Sequence, residues 1–325
     1  MKSAQSTKKT FISQADNYAM NFGEVLRSSA IFWVKNTNQL STVISFSNYW
    51  KFKNSNDVNV VINLRKINGD LVSRQIISFD EKTVCNYSPP NNFEGSVEVE
   101  VFSIKNMRIP YAAVMAVYES TKSVSMVHSY ARAYSQHEIE DKRTLSNGEE
   151  SCWTLRDSID ITSFAVLHNG PIKQKSQIAR LAIRNSSGKE LSIEVKFDEM
   201  KPFETKIIEP KNYFQNIIEW LNGFPGNARM SFKLNGGFTR MLCGVKKVDN
   251  SELQVTHSNF DYSVHGTDKI TKGSLLAYMR TPNLNGIFKQ EIVVYPDSDE
   301  GEYTSLVKTE KREFSTGDIH RLFFN

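Results

Sequence analysis

The residues best suited to chemistry lie in one polar stretch, HSYARAYSQHEIEDKRTLSNGEESCWTLRDS (128–158). Within it, Trp153 precedes the pair Arg156-Asp157 by three residues. An aromatic ring beside an arginine and a carboxylate can stack on a sugar while the polar groups fix its hydroxyls. We therefore predict these three as candidate ligand-binding residues. The alternative, which we favour, is an interdomain lock in which Trp153 is buried and Arg156 pairs with Asp157 or Glu149.

Two further candidates share a local sequence, because VSMVHSY (124–130) and LQVTHSN (253–259) both place a histidine before a serine. The alternation in each segment puts His128 and His257 on the same strand face as two apolar residues. We interpret both as histidines at the edge of a core, with the ring bonded to a neighbouring hydroxyl or carbonyl. The alternative is a ligand contact that is repeated once per domain.

A metal site is not predicted from the histidines of the polar stretch. His128, His137 and Glu138 have side chains that suit several divalent ions, but their spacing is not compact as it is in HExxH. The sequence also lacks GxGxxG, GxxxxGK[ST] and GxSxG. We expect no cofactor and no catalytic residue with a recognisable local motif.

Paired carboxylates for glycoside hydrolysis remain an open alternative, since such pairs come from distant strands and leave no local spacing. Glu98, Glu100, Glu194 and Asp198 lie on or beside predicted strands. We expect them on the solvent face of their sheets, which is the usual place for strand carboxylates.

The bulk composition limits the class of protein. A formal charge of +4, 39% hydrophobic and 23% charged residues over 325 positions are typical of a globular chain of two or three domains. The basic residues are scattered, so no nucleic-acid partner is predicted. No segment is long and apolar enough for a signal peptide or a membrane span, and Cys85, Cys152 and Cys243 are too few for a disulfide framework. We expect a cytoplasmic protein.

Period-two alternation dominates the chain, and it predicts an all-β protein of antiparallel β-sandwiches. The clearest strand segments are NVVINL, SVEVEVFSI, RLAIRN, LSIEVKF, ARMSFKL and EIVVY. Gly-containing turns, as in LRKINGDL (64–71), separate them.

An internal duplication is predicted from segments that recur in the same order. His128 and His257 are 129 residues apart, and Phe93-x-Gly95 recurs as Phe224-x-Gly226. We also align SAIFWVKNT with TSFAVLHNG, which places Asn36 opposite Asn169. The predicted divisions are an N-terminal segment (1–24), sandwich one (25–135), a charged connector (136–159), sandwich two (160–265) and a partial third copy (274–325).

These features together predict a non-enzymatic binding or assembly module. The expected partner is a glycan or another protein, with self-association through the open strands of the partial third copy as one route. The alternative function is a carbohydrate-active enzyme that uses carboxylates on loops or strands.

Overall fold

The computed structural model describes residues 27–48, 58–77, 84–103, 113–133, 149–232, 234, 240–261, 290–294, 301–304, 311–314 and 320–324. Nearly all of the regular structure in these ranges is antiparallel β-sheet. The predicted all-β sandwich class is confirmed.

The first sandwich contains eight strands in two sheets. Sheet I has the strand order β1-β6-β3-β4, and sheet II has the order β5-β2-β7-β8. The strands are β1 (Arg27–Asn36), β2 (Leu40–Ser47), β3 (Val58–Lys66), β4 (Leu71–Ile77), β5 (Val84–Tyr87), β6 (Phe93–Ser103), β7 (Val114–Ser120) and β8 (Val124–His128).

The second sandwich has nine strands, a short 3₁₀ turn (Pro210–Asn212) and one short helix, α1 (Ile217–Leu221). Its strands are β9 (Glu149–Leu155), β10 (Ile161–His168), β11 (Gln177–Arg184), β12 (Glu190–Phe197), β13 (Thr205–Ile208), β14 (Gly226–Ser231), β15 (Leu242–Lys247), β16 (Leu253–His257) and β17 (Asn259–Asp261). Sheet III has the order β12-β11-β14-β9-β17, and sheet IV has the order β13-β10-β15-β16.

The two sandwiches share one strand order, since β1 to β8 occupy the same places as β9 to β16. The turns after β3 and β11 also match, because Gly69 and Gly188 both have positive φ and both donate their N–H three residues back, to Lys66 and Asn185. The internal duplication itself stays a prediction.

One of the predicted correspondences is wrong. The counterpart of β1 in the strand order is β9, whereas TSFAVLHNG forms β10, the counterpart of β2. Asn36 therefore matches Asp157 and not Asn169. Both side chains do the same work, since Asn36 Oδ1 accepts the Thr42 N–H and Asp157 Oδ1 accepts the Ser163 N–H.

The predicted connector (136–159) also needs a correction, because β9 lies inside it. β9 pairs with β14 on one side and with β17 on the other, so it is an interior strand of sheet III. The second sandwich thus takes its first strand from a segment that the sequence assigned to a linker.

Strand β10 of sheet IV is buried on both of its faces. Ala165 and Leu167 point into the core of the second sandwich, whereas Phe164 and Val166 join the core of the first. The rings of Phe164 and Trp33 have centroids 5.6 Å apart across the two sandwiches. The core of the first sandwich is therefore shared with the outer face of sheet IV, and the second sandwich keeps a separate core on the inner face.

The C-terminal part of the chain contributes four short strands. β18 (Gln290–Val294) pairs with β21 (His320–Phe324), and β19 (Gly301–Thr304) pairs with β20 (Lys311–Phe314). Within the described ranges, none of the helical segments has the length and hydropathy of a membrane-spanning helix.

Replacing Phe164 with Ala should test the shared core. The ring is buried between the sandwiches, so its loss should lower the free energy of unfolding by about 3–5 kcal/mol, measured by urea unfolding. The matched control is Ile178→Ala, an exposed position on β11, with an expected change within about 0.5 kcal/mol. Equal small effects in both variants would contradict the shared core.

Candidate functional site at the seam between the sandwiches

The edge strands β8 and β16 lie side by side, and serine hydroxyls join them. Ser123 Oγ accepts the Leu253 N–H at 3.0 Å and donates to the Leu253 carbonyl at 2.9 Å. Ser125 makes the same two contacts with Val255, at 2.9 and 3.2 Å. The hydroxyls thus satisfy backbone groups that a neighbouring strand would otherwise pair. We call this contact of β8 with β16 the seam.

His128 and His257 meet at the end of the seam. Their Nε2 atoms are 2.9 Å apart, the ring centroids are 4.6 Å apart, and the ring planes are inclined by 75°. Each Nδ1 faces the carbonyl of the following serine, at 3.0 Å for Ser129 and 2.9 Å for Ser258. A carbonyl can only accept, so Nδ1 carries a hydrogen in both rings, and each ring turns its Nε2 to the other ring.

The environments of the two rings differ. His128 is exposed, whereas His257 is half-buried and its pKa is lowered, mainly by burial. Each ring is bonded to a neighbouring carbonyl, as the sequence predicts. The face of β8 that carries His128 does not point into a core, however, since Val124 is 65% and Met126 is 59% exposed on it. The sequence gives no sign that the two histidines touch each other. Their role as ligand contacts stays a prediction.

Trp153, Arg156 and Asp157 are placed at the end of β9 and in the turn after it. Trp153 is 2% exposed and lies in the core of the second sandwich, so its ring has no open face for a sugar. Asp157 is buried too, and burial raises the pKa of its carboxyl. The Arg156 N–H donates to Ser163 Oγ at 2.7 Å. These contacts hold the turn between β9 and β10, and the ligand-binding role of the three residues stays a prediction.

A third histidine, His168, is part of a buried network that sequence reasoning missed. Tyr130 Oη lies 2.7 Å from His168 Nε2, and His168 Nδ1 lies 2.9 Å from Thr205 Oγ1. The Tyr130 hydroxyl also accepts the Trp33 N–H, so its own proton is directed to His168. Burial lowers the pKa of His168 to about 3, which keeps this ring neutral near pH 7. The network links the two sandwiches through the buried histidine that ends β10.

The strand carboxylates form a cluster on sheet I. Asn63 Nδ2 donates to Glu98 Oε2 at 3.2 Å and to Glu100 Oε1 at 2.5 Å, and Arg65 lies 3.5 Å from Glu98. Glu98 is only 2% exposed, so its predicted place on a solvent face is wrong, whereas Glu194 is exposed as expected. A carboxylate enclosed to this degree and bonded to Asn63 is not positioned to meet a soluble substrate. Among the described residues, no three metal-ligating side chains cluster.

The comparisons with known proteins add little to this geometry. No protein-family model and no curated protein matches the chain. A calcium-binding mutant of Bacteroides uniformis β-glucuronidase 2 is similar over 73% of this chain and 26% of its own, at 10% identity and a TM-score of 0.16. The same enzyme bound covalently to cyclophellitol-6-carboxylate aziridine is similar over 72% of this chain and 26% of its own, at 10% identity and a TM-score of 0.14. The chain thus spans about a quarter of that enzyme's length, and TM-scores this low carry no argument.

The burial of Trp153 predicts a large effect on stability. Trp153→Ala should lower the free energy of unfolding by about 3–5 kcal/mol, because the ring fills the second core. Phe224→Ala, at an exposed aromatic residue of the same sandwich, is the control and should change it by no more than about 0.5 kcal/mol. Unchanged stability of Trp153→Ala together with lost glycan binding would instead support the sugar-site hypothesis.

The buried His168 predicts a pH dependence of stability. The unfolded ring takes up a proton below its ordinary pKa of 6.5, whereas the folded ring does so only near its lowered value. The contribution of neutral His168 to the free energy of unfolding is therefore fully present above pH 6.5. It is lost as the pH falls, by about 2 kcal/mol at pH 5.

The variant His168→Gln should lose this part of the slope when the free energy of unfolding is measured from pH 7.5 to 5. Tyr130→Phe removes a hydrogen bond but leaves the imidazole in place, so it should keep the slope while lowering stability overall. A slope in His168→Gln that equals that of the wild type would contradict the assignment.

Proposed function

We propose that the chain is a non-enzymatic assembly module whose partner is a protein, namely a second copy of this chain docked on the outer face of sheet II. That face carries an aliphatic surface, which we call the outer-face patch. Val124 and Met126 on β8 are exposed, and Val43, Met115 and Val117 beside them are half-buried. Contiguous exposed apolar surface of this kind marks interaction sites in soluble proteins.

The proposal rests on one observation, namely that the corresponding positions in sheet IV are covered by another sandwich. Strand register identifies the counterparts once His128 is matched to His257, because Met115 pairs with His128 as Leu242 pairs with His257. The remaining register then matches Val117 with Gly244, Met126 with Val255, Val124 with Leu253, Val43 with Phe164 and Ser45 with Val166.

The counterparts in sheet IV are covered by the first sandwich. Phe164, Val166, Leu242 and Leu253 are all buried in its core, and Phe164 packs against Trp33. The side of a sandwich like those of this chain is therefore the surface that fits the outer face of sheet II. A second copy supplies such a side, and for this reason we commit to self-assembly.

The chemistry of the patch favours a protein over a glycan. Its members are valines and methionines, which pack against irregular apolar surfaces, whereas sugars are usually bound by aromatic rings beside convergent polar groups. The enclosed Glu98 does not support the enzyme alternative. Edge pairing through residues 274–325 stays a second route to self-assembly; its described strands form two separate pairs.

Charge placed on the patch should prevent assembly. We expect the wild-type chain to sediment as dimers or larger species as its concentration rises, and Val124→Glu with Met126→Glu to stay monomeric because burying two carboxylates is unfavourable. Both positions are exposed, so the variant should fold normally.

The control is Ile178→Glu, which places a carboxylate at an exposed position on β11 and should assemble like the wild type. Sedimentation velocity measures all three proteins. A wild-type chain that remains monomeric at the highest concentration, or a patch variant that assembles normally, would refute self-assembly through this face.

A further inference from the structure

We propose that His128 and His257 together bind one divalent transition-metal ion, Cu²⁺ or Ni²⁺ in preference to Zn²⁺, through their Nε2 atoms at the end of the seam. The site takes one ligand from each sandwich. It does not depend on the assembly proposed above, because both ligands belong to the same chain.

The hydrogen bonding of the rings prepares both for a metal. The carbonyls of Ser129 and Ser258 hold a hydrogen on each Nδ1, and the two Nε2 atoms face each other at 2.9 Å. Two imidazole nitrogens this close repel unless a proton or a metal ion lies between or beside them. Metal-binding histidines use the same arrangement, in which the other ring nitrogen donates to a carbonyl and fixes the tautomer and the ring orientation.

The separation of the nitrogens indicates the coordination geometry. Two nitrogens about 2.0–2.1 Å from one ion lie about 3.3 Å apart at a tetrahedral angle but about 2.9 Å apart at a right angle. The observed Nε2 to Nε2 distance is 2.9 Å. It therefore matches two adjacent positions around a square-planar or octahedral ion.

The ring positions agree with the same geometry. If an ion lay on the axes of both rings at a right angle, the ring centroids would be about 4.5 Å apart, whereas two rings aligned head to head at this nitrogen distance would be about 5.2 Å apart. The observed separation is 4.6 Å. The rings are therefore tilted away from a head-to-head line, as two ligands at a right angle around one ion would be.

The choice of metal follows from the ligand set. Imidazole nitrogens in adjacent tetragonal positions suit Cu²⁺ and Ni²⁺, and Cu²⁺ binds nitrogen ligands more tightly than Zn²⁺ does. His128 is exposed, so water can complete the coordination sphere. Two protein ligands give a site of moderate affinity, and an ion bound there would hold β8 and β16 together.

Titration of the full-length, tag-free chain with Cu²⁺ and Ni²⁺ tests the proposal. Calorimetry should show a site occupied by one ion per chain, weakened more than about tenfold in His128→Ala and in His257→Ala. Electron paramagnetic resonance of the Cu²⁺ form should show coupling to two imidazole nitrogens. The control is Thr256→Ala, at an exposed position of β16, which should bind as the wild type does.

The exposed position of His128 keeps the test decisive, because removing its ring should not disturb folding; circular dichroism checks this for each variant. Wild-type binding that is no tighter than that of the double variant His128→Ala, His257→Ala would overturn the proposal. A wild-type chain that binds neither Cu²⁺ nor Ni²⁺ would overturn the proposal in the same way. Binding lost in Thr256→Ala as well would also overturn it, since the effect would then not be specific to the histidine pair.

Discussion

The burial of both faces of β10, the strand of sheet IV that lies between the two cores, is the constraint on which the rest of the architecture depends. One face of β10 completes the second sandwich through Ala165 and Leu167, and the other completes the first through Phe164 and Val166. This shared layer brings β16 beside β8, and it thereby forms the seam and the histidine pair. It also encloses His168 and Tyr130, whose polar atoms find their partners within the interface because both side chains are buried. The candidate metal site and the buried network are thus both results of packing one sheet between two cores.

Much of the fold can be predicted from the sequence because burial on one side of a sheet leaves period-two alternation. The alternation in LSIEVKF and SVEVEVFSI identifies β12 and β6, and the Gly-containing turns place the hairpins β3-β4 and β11-β12. The repeated His-Ser dipeptide correctly identifies β8 and β16 as strands in corresponding places. The sequence does not show that these two strands are neighbours, because the seam is held by serine hydroxyls and not by a distinctive motif.

The errors arise where residue type does not indicate a residue's place in the fold. β1 and β10 are both buried on both faces, so SAIFWVKN and TSFAVLH have a similar density of apolar residues although they occupy different places in the strand order. The alignment of these two segments therefore matches strands of similar burial and not strands at the same place in the strand order. β9 was missed for the opposite reason, because an interior strand that begins with Glu149-Glu150 resembles a polar linker. Trp153 and His168 show the same limit: residue type alone does not distinguish a ring in a core from a ring at a ligand site.

The serine hydroxyls of the seam have a consequence for the order in which the chain folds during its synthesis. β16 obtains partners for the backbone groups of Leu253 and Val255 only when Ser123 and Ser125 are already in place. Strand β10 likewise needs the first sandwich to cover Phe164 and Val166, whereas Val124 and Met126 of sheet II are exposed in the part of the chain that the structure describes. The N-terminal half emerges from the ribosome first, so it can act as a template on which the later half settles. The direction of translation therefore suits this order of folding.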